Sequence, residues 1–217
     1  MQCQLRHIMR RISFMRYNVC MKIIGHRGAK GLAPENTIES IQLAIKHGVD
    51  MIEIDVRLQG DSVVLSHDET LPAKSYTLLS ETLHILDGRV PLNIEIKELQ
   101  VVEHLPLLLK DYHGKVLFSS FKFMHLSAIR KLLPKCDVAI LEKWSGVRAV
   151  AEAELLYTKR IHIKQSWLWA SFVRSLKHRG YEVYAYTVNS RKRAEELEEW
   201  GVDGIVTDYP DRFKKPL

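Results

Sequence analysis

Residues 26–69 read HRGAKGLAPENTIESIQLAIKHGVDMIEIDVRLQGDSVVLSHDE. Polar chemistry stands here where a core pattern would put aliphatic side chains. His26-Arg27-Gly28 follows the apolar run 21–24, Glu53 and Asp55 interrupt a second such run at period two, and His67 closes a third. Strands that end in reactive groups point to a β/α barrel, whose strand C-termini form the catalytic face.

Outward from this stretch the punctuation is regular. Residues 21–24 form a short strand. Asn36 is placed to cap a helix, with Glu39 three residues on as its capping-box partner. Ile38, Ile41, Ala44 and Ile45 then line one helical face, and Gly48 ends it. Strands over 51–58 and 62–66 flank Gln59-Gly60-Asp61, which predicts a hairpin. Further strands are expected over 92–96, 116–119, 138–141, 161–163, 183–186 and 204–206. Helices are expected over 78–86, 101–109, 126–133, 148–157, 168–178 and 191–200. About eight strand–helix units in one chain mean parallel pairing, and a closed TIM (β/α)8 barrel accommodates that number. An open doubly wound sheet would want GxGxxG after its first strand, and residues 26–31 (HRGAKG) do not supply it.

Composition sets the class. With 217 residues, 46% hydrophobic and 27% charged, the chain suits one domain with a substantial core. Cys3, Cys20 and Cys136 are widely spaced and include no CxxC pair. That pattern supports neither a disulfide framework nor a cysteine zinc site and leads us to expect a reducing, cytoplasmic setting. The net charge of +6 is uneven: no Asp or Glu precedes Glu35, while Arg6, Arg10, Arg11 and Arg16 crowd the start. We expect residues 1–20 to be a basic extension, either disordered or read from an upstream start codon, or else a targeting or membrane-surface segment, and residues 21–217 to be the barrel domain. No apolar segment approaches the roughly 20 residues that span a bilayer. No aromatic-rich basic motif suggests a nucleic-acid partner.

Glu53 and Asp55 lie two residues apart on a strand, so both leave the same face, while Ile52, Ile54 and Val56 leave the other. Like charges in one barrel mouth repel unless a cation sits between them, and Mg²⁺ or Ca²⁺ selects such oxygens. The pattern recurs in Asn93-Ile94-Glu95-Ile96-Lys97, where Glu95 offers a third ligand and Lys97 a hold on an anion. A solvated amphipathic strand would explain one such segment; two in a buried barrel favour a site. His26 and His67 both stand at strand ends, and an imidazole can take a proton from a nucleophile or give one to a leaving group. Arg27 offers a fork for phosphate oxygens. Together these groups specify metal-assisted cleavage of a phosphodiester.

His26-Arg27-Gly28, Pro34-Glu35-Asn36-Thr37, Glu53-Ile54-Asp55-Val56, His67-Asp68, Asn93-Ile94-Glu95-Ile96-Lys97, Thr187-Val188-Asn189 and the segment GVDGIVTDYP at 201–210 form a collinear set. In this set the chain resembles the glycerophosphodiester phosphodiesterase family from about residue 21 to residue 213. The resemblance implies a TIM barrel that uses Mg²⁺ or Ca²⁺ to hydrolyse glycerophosphodiesters to glycerol 3-phosphate and an alcohol. By the same resemblance, Glu53, Asp55 and Glu95 bind metal, His26 and His67 are the acid/base pair, and Arg27 and Lys97 contact phosphate. Tyr186 forms an aromatic wall where relatives often have tryptophan. The implied mechanism is attack by the substrate's own 2-hydroxyl to give a cyclic phosphate, which water then opens.

The segment 68–94 is short where many relatives insert a helical cap, which predicts a more open site. Lys122, Lys143, Lys164 and Arg191-Lys192-Arg193 all follow predicted strands, so they should focus positive potential on the mouth. Trp144, Trp167 and Trp169 fall on the same rim, for core packing or for a lipid or choline contact. Two alternatives stand beside the main reading. One is a phospholipase D-type enzyme on lysophospholipid or related head groups; the other is a silent binding module for anionic metabolites.

Overall fold

A computed structural model describes residues 21–213; the basic segment 1–20, with Cys3 and Cys20, lies outside the described residues. Eight parallel strands close into a barrel: β1 (Lys22–Gly25), β2 (Met51–Gln59), β4 (Leu92–Ile96), β5 (Val116–Ser120), β6 (Asp137–Glu142), β7 (Arg160–Lys164), β8 (Glu182–Tyr186) and β9 (Gly204–Thr207). Closure is visible at Ile24, which pairs with Met51 on one side and Val206 on the other. The short β3 (Ser62–Leu65) folds back antiparallel on β2, from Gln59↔Ser62 to Val56↔Leu65, as the hairpin reading required. Helices α1 (Ile38–Lys46), α2 (Leu79–Leu86), α3 (Leu105–Leu108), α4 (Phe123–Leu132), α5 (Gly146–Leu155), α6 (Ala170–His178) and α7 (Arg191–Trp200) join the strands. None of the described helices is long and apolar enough to cross a membrane.

The strand period of two makes two cores. Ile52, Ile54 and Val56 are fully buried in the large apolar layer shared with the helices, each contributing roughly 1.5–3 kcal/mol by burial. A small cluster of Ile24, Tyr184 and Val206 fills the barrel interior. Gly204 makes room for it, since a Cβ there would stand 2.6 Å from the Tyr184 ring. The alternation that buries the isoleucines outward therefore sends Glu53 and Asp55 inward.

Two local expectations are corrected. The cap of α1 is Thr37, whose side chain accepts from Ser40 N at 3.2 Å while Ser40 Oγ accepts from Thr37 N. Glu39 is not part of that box. Asn36 instead adopts φ +57, a conformation its short polar side chain tolerates, and reaches the carboxylates. The helix expected over 101–109 is broken into a 3₁₀ segment, Leu99–Glu103, and the single turn of α3. Pro106 has no N–H to donate to a preceding turn, which explains the break.

Candidate active site

Glu53 and Asp55 on β2 and Glu95 on β4 meet because the register sets Glu53 beside Asn93 and Asp55 beside Glu95. One carboxylate oxygen from each lies within 4.8 Å of the others. All three are buried. Burial, with Asp55 and Glu95 nearby, pushes the Glu53 pKa well above the ordinary value, and burial beside Asp55 raises Glu95 to about 7. Burial works against the Asp55 charge too, yet Lys97 and Arg27 hold its pKa below normal. Asn36 supports it from both sides: Asn36 Nδ2 donates to Asp55 Oδ2 at 3.0 Å, and Asp55 N donates to Asn36 Oδ1 at 3.2 Å. Glu53 Oε2 accepts from Arg27 N at 2.8 Å, whereas Glu53 Oε1 is buried with no hydrogen-bond partner. An unsatisfied buried carboxylate oxygen facing two more carboxylates fits a hard divalent cation.

Two cations flank the cluster. Lys97 Nζ donates to Glu95 Oε1 at 2.7 Å and lies 3.3 Å from Asp55 Oδ1. Arg27 Nε lies 3.0 Å from Asp55 Oδ2 as an ion pair without hydrogen-bond alignment, and Arg27 NH1 donates to both Glu35 oxygens at 2.8 Å. Arg27 has φ +50 and Gly28 φ +82. This left-handed step folds the loop onto the start of α1, where a Cβ on Gly28 would fall 2.4 Å from Ser40 Oγ. Only glycine fits there.

Each histidine is anchored through Nδ1 to a carboxylate, His26 to Asp208 Oδ1 at 2.5 Å and His67 to Asp68 Oδ1 at 2.7 Å. With Nδ1–H donating, Nε2 of each ring is left for the cavity. Burial and then Lys97 lower the His67 pKa, so its imidazole is mainly neutral at pH 7. Asp208 is itself held by Asn189, whose Nδ2 donates to Asp208 Oδ2 at 2.7 Å and whose Oδ1 accepts from Asp208 N at 2.9 Å.

His26, Arg27, Glu53, His67, Glu95, Lys97 and Tyr186 line one cavity of about 170 Å³, with Asp55 buried just behind it. Tyr186 donates its hydroxyl to Glu142 O at 2.8 Å and meets the Phe121 ring edge-on at 5.9 Å. It therefore presents a ring rather than a free hydroxyl. Lys143 joins the cavity wall and lies 4.5 Å over Phe121; Lys122 and Lys164 stand outside it. Arg193 is turned away from the expected role, since its guanidinium binds Gln165 O, Leu168 O and Glu196. At the cavity floor, Asn93 Oδ1 and both nitrogens of His162 are buried without a partner among the described residues. Burial lowers His162 to about 3, so it is a neutral polar lining group.

Asp208, Asn189, Asn36 and Glu35 were not singled out for the site from the sequence. All four lie in motifs that were, TDYP, TVN and PENT. Their supporting roles depend on loop conformations, such as the left-handed Asn36, that periodicity does not encode.

Residues 26–75 and 88–212 match the Glycerophosphoryl diester phosphodiesterase family. The unmatched 76–87 falls inside the shortened segment. The Bacillus subtilis protein YhdW is 33% identical over 234 residues, covering 88% of this chain and 96% of that one. A glycerophosphodiester phosphodiesterase of Bacillus altitudinis is 30% identical, covering 89% and 97%. An Oleispira antarctica phosphodiesterase, solved in complex with the product sn-glycerol-3-phosphate, superposes with a TM-score of 0.82 at 26% identity, covering 90% of this chain and 96% of that one. With its closed parallel barrel and collinear match, this chain belongs to the glycerophosphoryl diester phosphodiesterase family of phosphoric diester hydrolases.

Proposed function

We propose that the chain hydrolyses glycerophosphodiesters to sn-glycerol 3-phosphate and an alcohol, with Glu53, Asp55 and Glu95 holding a divalent cation and His26 and His67 moving protons. The observation that carries this reading is the meeting, in one cavity, of three buried carboxylates, two flanking cations and two carboxylate-anchored histidines. The product bound by the Oleispira antarctica relative supports it. In the same reading, residues 21–217 are the catalytic domain and residues 1–20 an extension to it.

A bound Mg²⁺ or Ca²⁺ would supply charge stabilisation at the phosphoryl oxygens. Arg27 and Lys97 orient the phosphate and absorb charge as it develops. His67, held neutral, accepts the proton of the substrate's 2-hydroxyl as that oxygen bonds to phosphorus. His26, steadied by Asp208, gives a proton to the departing alcohol as its P–O bond breaks. Water then adds to the cyclic phosphate with the roles reversed, breaking the bond to the 2-oxygen. Tyr186 and Phe121 wall off one side of the cavity.

Because Glu53 and Glu95 carry raised pKa values, protons compete with the cation for the same oxygens. Mg²⁺ or Ca²⁺ affinity should therefore strengthen as pH rises through about 7, with protons released on binding. Calorimetric titration in buffers of different ionisation enthalpy reads both quantities. Affinity that does not change with pH would mean that other groups are the ligands.

The leaving-group side tests the substrate reading. The short 66–78 connection leaves an open groove beside His67, lined by Glu35, Asp68, Leu71 and Tyr76. Glycerophosphocholine, glycerophosphoethanolamine and glycerophosphoglycerol should be hydrolysed with kcat/KM values within about tenfold of one another. Bis(p-nitrophenyl) phosphate, which lacks the glycerol hydroxyls, should be a poor substrate. Equal turnover of that diester, or no release of sn-glycerol 3-phosphate from any member of the panel, would refute the reading.

A further inference from the structure

The mouth of the barrel is polarised. Loops after β1 and β3 bring Glu35, Asp68 and Glu69 to one side, with Arg27 and Lys30 paired to Glu35. Loops after β5, β6 and β7, which are neighbours in the barrel, form the other. There the sequence contains no Asp or Glu over 120–136, 143–151 or 164–181. Basic and aromatic side chains replace them.

Three tryptophans stand out of this acid-free rim. Trp144 is 63% exposed, Trp167 41% and Trp169 54%, and Val147 beside them is 80% exposed. Trp144 and Trp167 meet edge-on at 6.4 Å, and Lys164 Nζ lies 5.7 Å over the Trp144 ring. Trp169 stacks on Phe172 at 4.9 Å. Phe172 in turn packs against Gly146, where a Cβ would fall 2.1 Å from the ring. Arg193 ties down the carbonyls of Gln165 and Leu168. The rings are thus displayed from a braced loop, at little ordering cost to whatever they contact.

Such an exposed cluster needs an occupant of matching chemistry. A cage for a quaternary ammonium group would keep its ring faces open to cations, but lysine ammonium groups already sit over Trp144 and Phe121. Tryptophan rings interleaved with lysine fit the zone between head groups and acyl chains of an anionic bilayer. We propose that the rim formed by Trp144, Trp167, Trp169, Lys122 and Lys164 docks the barrel mouth-down on an anionic lipid surface. Negative lipid attracts the lysines within a Debye length, and the indoles enter the interface beside the cavity. The side that carries Glu35, Asp68 and Glu69 then tilts away from the membrane. This extends the proposed function by placing the same site at a lipid surface, and binding can be read without turnover.

The test is co-sedimentation of the full chain with phosphatidylcholine vesicles, with and without phosphatidylglycerol, alongside tryptophan emission. The wild type should bind the phosphatidylglycerol vesicles about tenfold or more tightly than phosphatidylcholine alone, with emission shifted to shorter wavelength. The triple variant Trp144→Ala, Trp167→Ala, Trp169→Ala should lose that binding by about tenfold or more while turning over soluble glycerophosphodiester at the wild-type rate. Lys122→Glu with Lys164→Glu should weaken it by a similar factor while keeping all the tryptophans, which covers the case of a triple variant that folds poorly. Wild-type binding by both variants would assign the contact to residues 1–20 or to diffuse charge and overturn the proposal. Equal binding to both vesicle types, or no binding at all, would do the same.

Discussion

Glu53→Gln should lower turnover by about 10³–10⁴-fold, because a metal that supplies several kcal/mol to the transition state is worth that many decades. Glutamine keeps the carbonyl that accepts from Arg27 N, so the loop should stay in place and circular dichroism should be unchanged. The stability signature is specific to the site. In the metal-free protein a carboxyl whose folded pKa is raised prefers its protonated form. Its contribution is intact at low pH and is lost as pH rises through the raised folded value. Glutamine mimics the protonated acid at every pH. In chelator the variant should therefore match the wild-type Tm under acid conditions and exceed it under alkaline ones, while added Mg²⁺ or Ca²⁺ should raise only the wild type. Unchanged turnover, or a Tm difference that ignores pH, would remove Glu53 from the metal site.

His26→Ala and His67→Ala should each reduce kcat by about 10²–10⁴-fold, the usual contribution of a positioned acid or base. The double variant is the sharper measurement. If the two rings serve one transition state, losing the first leaves the second little to do, and the combined loss falls well short of the product of the single losses. The cavity geometry favours this outcome, since both rings line the same space and each is fixed through Nδ1 by a carboxylate. Multiplicative losses would mean that the two residues act in separate steps or that one is structural.

The barrel was legible because its signals are periodic. Alternation on β2 sends Ile52, Ile54 and Val56 outward and Glu53 and Asp55 inward, and the repeat on β4 adds Glu95 and Lys97 by register. Those residues meet by strand geometry alone. What the sequence concealed lies in loops, where side chains outrank period. Asn36 scanned as a helix cap, yet Thr37 has that place, and Asn36 turns left-handed to hold Asp55. Asp208 and Asn189 brace His26 across 182 and 163 positions of chain. The first separation is bridged by a direct hydrogen bond; the second runs through Asp208. Neither has a local signature beyond its motif. The charge run at 191–193 suggested attraction at the mouth, but Arg193 satisfies the carbonyls of a neighbouring loop. Charge in a sequence does not say which way a guanidinium points.

If Glu53, Asp55 and Glu95 act through a divalent cation, turnover of a glycerophosphodiester should stop without one. Chelator-stripped wild-type protein should release no sn-glycerol 3-phosphate from glycerophosphoethanolamine, and Mg²⁺ or Ca²⁺ added back should restore release. Steady production of sn-glycerol 3-phosphate in the presence of excess chelator would contradict it.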